Sequence, residues 1–331
     1  MPTMKAIRIH AYGGLEQLRY EDIDVPAPGP GEAFVRHTAI GVNFADLHNR
    51  EGRYPLPHLP HVLGGEAAGV VEAIGAGVTH VRVGDRVAYA AGGPKFAPGS
   101  YAEGRLFPAE RLIRLPDEID DVSAAALFTK GLTAQYLIKS VYPVGAGDTI
   151  LVHAAAGGVG LFVAQWANHL GARVIGIVSS QEKAELALAN GCSHVILGSD
   201  PDIPGRVRSL TAGEGVPVVY DSVGKDTFET SLDCLRPQGL MVSFGTASGK
   251  VPPFDIFALN TKGSLSVTSA AFAWFVRSRE ELLTRAADVV DVVLRGAVRI
   301  HVNQRFALAD AAKAHRALES RKTLGATVLI P

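Results

Sequence analysis

The sequence predicts an α/β protein: a doubly wound parallel sheet set as an insertion within a mainly-β domain. Three observations carry this. The first 120 residues break into short runs of alternating apolar residues punctuated by Gly and Pro. From residue 148 to 269, strands alternate regularly with helical segments of about 10–15 residues, the signature of βαβ units. The last 60 residues return to a helix–strand–helix–strand order with no glycine-rich turn.

The elements follow in order. KAIRIHAY, QLRYEDIDV, EAFVRHTAIGV, AAGVVEAIG and DRVAYA read as strands, separated by turn clusters such as VPAPGPGE and YPLPHLP. DVSAAALFTKGLTAQYLIKS, residues 121–140, has helical periodicity throughout. Then come DTILVHA (strand), VGLFVAQWANHLG (helix), ARVIGIV (strand), SQEKAELALANG (helix), SHVIL (strand) and DIPGRVRSLTAG (helix). PVVYDSV (strand), KDTFETSLDCL (helix) and the strands GLMVSFG and GSLSVTS complete the series. EELLTRAADVVDVVLRG and LADAAKAHRALESR read as helices, QRFAL and GATVLI as strands of the first domain. The expected boundaries are 1–126, 127–269 for the insertion, and 270–331.

Composition excludes several classes. The 331 residues carry 32 Lys and Arg against 33 Asp and Glu, without the basic excess of a dedicated nucleic-acid binder. The two cysteines, Cys192 and Cys234, cannot build a disulfide framework or a Cys-rich zinc module, and such usage points to the cytoplasm. The N-terminal segment alternates like a strand and lacks the apolar core of a signal peptide. The most apolar stretch has a glycine turn in its middle, so no membrane span is expected.

That turn is the strongest local motif. Ala155-Ala156-Gly157-Gly158-Val159-Gly160 follows a strand and opens a helix, where the Rossmann dinucleotide fingerprint belongs. Gly157 lets the backbone approach a pyrophosphate, Gly160 permits close helix–strand packing, and the helix N-terminus supplies amide donors. An NAD site places Asp or Glu at the end of the next strand. Here that end reads Ser179-Ser180-Gln181-Glu182-Lys183, with hydroxyls and a lysine that suit a 2′-phosphate; the reading is NADPH. Taken alone, Ser179 would be a helix cap and Lys183 a surface charge.

GVNFADLHNREGRYP, LGGEAAGVVEAIGAGV, GDRVAYA, FTKGLTAQYL, HAAAGGVGL, VVYDSVG, SLDCLRPQGLMVSFG, NTKGSLSVT and LESR, in this order, resemble the zinc-free quinone oxidoreductases of the medium-chain dehydrogenase/reductase superfamily. The resemblance spans nearly the whole chain and implies a GroES-like first domain around a Rossmann insertion. It implies NADPH-dependent hydride transfer to a quinone, with enone, alkenal or enoyl-thioester reduction as the alternative acceptor chemistry. A structural crystallin-like or RNA-binding role is the alternative of another class. Relatives with zinc carry a Cys in the early G-x-C segment and a His before Glu; here these positions hold Asn43 and Gly65, and the segment after Tyr89 has no Cys. No metal is expected. His48, His58 and His61 lie close in sequence, the last two in a proline-rich loop without spacing that would converge them, and read as ordinary cleft histidines.

Asn43, His48, Tyr54 and Lys130 are the candidates for polarising or positioning the acceptor oxygen. The glycine motif and the resemblance together assign Asn43, Asp46, Lys130, Thr133, Gly157, Gly158, Val159, Gly160, Ser179, Lys183, Ser222, Phe244, Gly245 and Arg321 to the cofactor. Three positions depart from the bacterial pattern: His48 and Gly198 stand where a Tyr is usual, and Ser269 where an Arg is. The segment between Tyr89 and Tyr101 also reads as longer. A homodimer is expected through the strand GSLSVTS, whose Ser264, Leu265, Ser266 and Val267 alternate at a sheet edge; Lys262 could instead guard that edge.

Overall fold

The computed structural model describes residues 3–91 and 99–331 and divides into two units. Unit 1 comprises residues 1–132, 275–289 and 300–331; unit 2 comprises 133–274 and 290–299.

In unit 1 the alternating runs become β1 (Thr3–Ile9), β2 (Arg19–Asp24), β3 (Glu32–Val42), β4 (His61–Val62), β5 (Glu66–Ile74), β6 (Arg86–Ala90), β7 (Gly104–Pro108) and β8 (Ile113–Arg114). The chain's end adds β15 (Val302–Ala307) and β16 (Ala326–Ile330), where β9 to β14 are the strands of unit 2 given below. One sheet runs β15-β16-β3-β5-β6-β8, with β7 also on β3; a smaller one runs β2-β1-β4. Side chains such as Ile7, Ile40, Leu63, Val87, Tyr89 and Leu329 close a core that is fully removed from water.

The helices of unit 1 begin with α1 (Phe44–Arg50) after β3. Residues 121–140 do not form one helix. The chain makes α2 (Asp121–Ala125), breaks, and resumes as α3 (Phe128–Tyr136) before a π-helical turn over Leu137–Val141. The break has a cause: Glu66 Oε1 accepts the Thr129 amide at 2.7 Å, so a carboxylate from β5 caps the first turn of α3. In unit 2 follow α4 (Gly158–His169), α5 (Gln181–Ala189), α6 (Ile203–Leu210), α7 (Phe228–Asp233) and α8 (Phe257–Thr261); α9 (Arg279–Leu294) starts in unit 1 and ends in unit 2, and α10 (Ala311–Glu319) belongs to unit 1. The short α8 falls where the sequence pattern gave no helix.

The strands of unit 2 are β9 (Thr149–His153), β10 (Arg173–Val178), β11 (His194–Leu197), β12 (Val216–Asp221), β13 (Leu235–Ser243) and β14 (Ser266–Ser269). Their order is β11-β10-β9-β12-β13-β14, and every pairing is parallel. Strand order reverses beside β9, because β10 lies on one side of it and β12 on the other. Ligands of such sheets bind beyond the carboxyl ends of the strands at that reversal.

One buried residue shapes the rim at that end. Asp221 ends β12 with no exposed surface. Its Oδ1 accepts from the amides of Val223 and Gly224 at 2.7 and 3.1 Å, and its Oδ2 from the hydroxyls of Thr227 and Ser231, both at 2.7 Å. Ser231, having donated there, accepts from His153 Nε2 at 3.0 Å. Asp221→Ala leaves these donors buried without an acceptor, and we expect it to lower stability by roughly 3–5 kcal/mol. Asp221→Asn, which keeps the shape and one acceptor oxygen, should lose less; thermal denaturation of the two variants measures the difference.

Candidate functional site

The glycine turn of unit 2 has the form a phosphate cradle needs. Ala154 takes a positive φ of 51°, and the chain reverses through a bond from the Gly157 amide to Ala154 O at 2.8 Å. A Cβ at residue 160 would lie 2.3 Å from Ala154 O, so only glycine lets α4 begin this close to β9. The N-cap of α4 is Gly157, which has no side chain to cap the helix, and Gly158, Val159 and Gly160 form its N-terminus with the positive dipole end.

Beside it, at the end of β10, Lys183 Nζ donates to Ser179 Oγ at 3.2 Å. Burial lowers the Lys183 pKa, with the charge of Glu182 opposing. The cap of α5 is Ser180, whose Oγ accepts the Lys183 amide at 3.4 Å, so Ser179 is free of that duty. Ser222 and Phe244 follow β12 and β13, whose ends are aligned as Asp221 with Ser243. A Cβ at residue 245 would meet Ser222 O at 2.7 Å, so Gly245 closes tightly on Ser222. Gly198 follows β11, next to the end of β10, and a side chain there would meet nothing closer than 3.6 Å. Unit 2 thus brings Gly157–Gly160, Ser179, Lys183, Ser222, Phe244 and Gly245 to one rim of its sheet. Thr133 begins this unit, buried on α3.

Unit 1 holds a second constellation, built on a carboxylate. Glu66 opens β5 with no exposed surface. Its Oε2 accepts from Lys130 Nζ at 3.2 Å and from Asn43 Nδ2 at 3.1 Å, while Oε1 caps α3. Lys130 Nζ also donates to Asn43 Oδ1 at 2.8 Å. Because an ammonium only donates and a carboxylate only accepts, the orientation of the Asn43 amide is fixed. The Asn43 backbone amide donates to Asp46 Oδ2 at 2.8 Å. Burial raises the Asp46 pKa to about 7, against the Asn43 and Tyr101 donors and the Lys130 charge. Asn43 and Lys130 therefore stand together; Asp46 supports Asn43 from behind.

His48 and Tyr54 form a pair of their own, with rings 4.9 Å apart edge to face. Tyr54 is 40% exposed, whereas His48 is buried, and burial together with Arg53 lowers its pKa. The histidine cluster divides. His58 and His61 touch, ring centroids 4.7 Å apart, because β4 aligns His61 against Ile9 of β1; the loop does bring these two together, contrary to the sequence expectation. His58 Nδ1 then lies 3.1 Å from Pro60 O. Arg321 follows α10, exposed, with a positive φ of 55°. The expected longer stretch between Tyr89 and Tyr101 falls largely at residues 92–98, outside the described residues. Sequence reasoning missed Glu66 as a site residue, and it missed Tyr101, which donates to Asp46 Oδ2 at 3.1 Å. The one available signal was an acid amid the apolar residues that open β5.

Comparison with known proteins gives these residues a context. The family model described as Alcohol dehydrogenase GroES-like domain matches residues 29–117, and the one described as Zinc-binding dehydrogenase matches 158–288. The chain is 51% identical to Quinone oxidoreductase of Pseudomonas aeruginosa, covering 99% of both proteins. It is 45% identical to 2-haloacrylate reductase of a Burkholderia species, covering 98% of both. The crystal structure of Escherichia coli quinone oxidoreductase complexed with NADPH superposes with a TM-score of 0.96 at 43% identity, over 99% of this chain and all of that one.

The residues do not fit the zinc in the name of the second family model. Among the described residues no group of three or more His, Cys, Asp and Glu could hold a metal ion. By the family resemblance Asn43 and Gly65 stand at the ligand positions of zinc-containing relatives, and the Lys130 ammonium already occupies the Glu66 carboxylate. Elemental analysis of the purified protein should find well under one zinc per chain, and activity should survive prolonged chelation; a stoichiometric zinc lost together with activity would contradict this reading.

Proposed function

Since this chain belongs to the quinone oxidoreductase family of the medium-chain dehydrogenases/reductases, we propose that it is an NADPH-dependent reductase of quinones and similarly electrophilic conjugated acceptors. One observation carries the acceptor half: the buried corner in which Lys130 bonds both Asn43 and Glu66. Two of the three ammonium hydrogens are engaged there. The third, and the remaining N–H of Asn43, are directed donors for an acceptor oxygen that gains charge as it is reduced. Such a corner polarises less strongly than a metal, and suits an acceptor that is electrophilic already.

The rim of unit 2 fits the cofactor. The uncapped start of α4 takes the pyrophosphate, and Ser179 with Lys183 takes the adenosine 2′-phosphate. Thr133, Ser222, Phe244, Gly245 and Arg321 are assigned to the same ligand. When bound, NADPH supplies a hydride from its nicotinamide ring. Asn43 and Lys130 orient the acceptor oxygen, His48 and Tyr54 pack its ring, and the proton of the reduced product comes from water. With the exceptions of Lys130 and Arg321, we assign residues 127–269 to the cofactor and 1–126 with 270–331 to the acceptor. A cytoplasmic enzyme fits the two buried free cysteines, and no helix among the described residues is long and apolar enough to cross a membrane.

The relative named 2-haloacrylate reductase supports a second reading, reduction of an activated carbon–carbon double bond. NADPH oxidation against a panel of quinones, enones and unsaturated acids separates the two. Lys183→Ala tests the cofactor assignment: NADPH should bind roughly 10–100-fold more weakly, matching about 1.5–3 kcal/mol for a charged hydrogen bond, with NADH nearly unchanged. Equal losses for both cofactors would sink it.

We also propose a homodimer joined along β14. This strand ends the sheet, and Ile256, Phe257 and Trp274, which flank it in the chain, are 76%, 63% and 70% exposed. The strand is shorter than its alternation implied: Ser264 has a positive φ of 56° and Leu265 precedes the pairing, which runs from Ser266 to Ser269. Lys262 is no edge guard, because it pairs with Asp233 and Glu229. Light scattering at micromolar concentration should show a dimer, and Val267→Pro, which removes a backbone donor from β14, should shift it toward monomer.

A further inference from the structure

A line of buried polar side chains leads away from the Asn43 corner within unit 1, and the chemistry of its members fixes its direction. Arg50 NH1 lies 3.3 Å from His315 Nδ1. A guanidinium only donates, so Nδ1 accepts and carries no proton. The neutral ring then bears its proton on Nε2, 3.1 Å from the Tyr101 hydroxyl oxygen. Tyr101, having accepted, donates to Asp46 Oδ2 at 3.1 Å. Asp46 in turn holds the Asn43 amide. Arg50 is anchored at the far end by Glu319 on α10, by Glu51 and by Gly13 O. His315 is wholly buried, and that burial, with the Arg50 charge, lowers its pKa to about 3. The Tyr101 ring is held by Gly64, whose φ is +89° and where a Cβ would fall 2.1 Å from the ring.

We propose that Tyr101 and His315 are positioning residues for the acceptor corner: a one-way chain of hydrogen bonds from Arg50 holds Asp46 as the acceptor of the Asn43 amide, and so holds the side chain that Lys130 grips. This rests on the function proposed above. The chain is not a proton path. A guanidinium offers hydrogens but accepts none, and protonating His315 would set a second buried cation beside Arg50.

The groups acting on Asp46 are the Asn43 amide, Lys130 on α3, Glu66 on β5 and Tyr101 before β7; Arg50, His315 and Glu319 reach it only through the chain. Tyr101 stabilises the ionised carboxylate. Deleting its hydroxyl therefore favours the acid, which accepts poorly from Asn43, and activity falls as pH drops through the Asp46 titration.

Two readouts test this. In the ligand-free protein, carboxyl carbon NMR, assigned with Asp46→Asn, should show the Asp46 midpoint rise by about one pH unit in Tyr101→Phe, a tenfold change in proton affinity. In turnover, the acid limb of kcat/KM should move up by the same amount, with KM for the acceptor rising several-fold at pH 7 and NADPH binding within about twofold of the unmodified protein. His315→Leu should move both readouts in the same direction. His315→Gln should restore them, since an amide accepts from Arg50 through its oxygen and donates to Tyr101 through its nitrogen.

A Tyr101→Phe protein that folds and leaves the NMR midpoint unmoved overturns the inference. So does a His315→Gln protein that behaves like His315→Leu, or a uniform loss of activity at all pH with no shift of the limb. A raised midpoint in a protein that reduces no quinone, enone or unsaturated acid sinks the proposed function and leaves the coupling of Tyr101 to Asp46 standing.

Discussion

The proposed acceptor corner depends on one buried carboxylate. Glu66 has no water to solvate it, and a bare carboxylate in such a place would cost several kcal/mol. Three donors from separate segments offset that cost: the Thr129 amide, the Lys130 ammonium and the Asn43 amide group. Each donor is held in place by the bond. The cap on Thr129 starts α3 where it starts, and this decides which way Lys130 projects. Even the packing of β3 answers to it: a Cβ at residue 41 would lie 2.6 Å from Glu66 Oε2 and 2.2 Å from Ala125 O, so that strand passes only because residue 41 is glycine.

From this follows the character of the corner. A lysine held by two acceptors is a point charge with one donor left over, less polarising than a divalent ion but fixed in direction. In the function proposed, the ammonium serves both as the counter-ion of Glu66 and as the electrophilic group. Asn43 lies between the two charges and takes its orientation from them.

Much of the fold was legible because it depends on short-range pattern. The alternation after residue 148, the glycine turn, and the hydroxyls and lysine at the end of β10 are all read within 20–30 residues. The corner was less legible because its bonds join residues far apart: Asn43 and Glu66 to Lys130, Tyr101 to His315. Asn43 and Lys130 entered through resemblance, yet nothing in spacing indicates that they touch. Where local pattern failed, a long-range contact had prevailed. The helix expected over 121–140 breaks because Glu66 caps its second half, and His61 meets His58 because β4 pairs with β1. At Ser179 and Ser180 the sequence could not say which hydroxyl caps α5; the structure assigns Ser180, leaving Ser179 to Lys183.

The two lysines of the proposed site illustrate opposite uses of one side chain. Lys183 sits at the rim of its sheet, where its ammonium donates to the Ser179 hydroxyl. Such a group discriminates by charge, and it contributes when the ligand brings the opposite charge to it. Lys130 is buried, and its position is fixed before any ligand arrives. Its value lies in preorganisation: the reorganisation that water would undergo around a developing oxyanion is already done by Glu66 and Asn43. The first arrangement suits recognition of a finished, doubly charged group. The second suits an oxygen whose charge appears only during the reaction, which is the role proposed for Lys130.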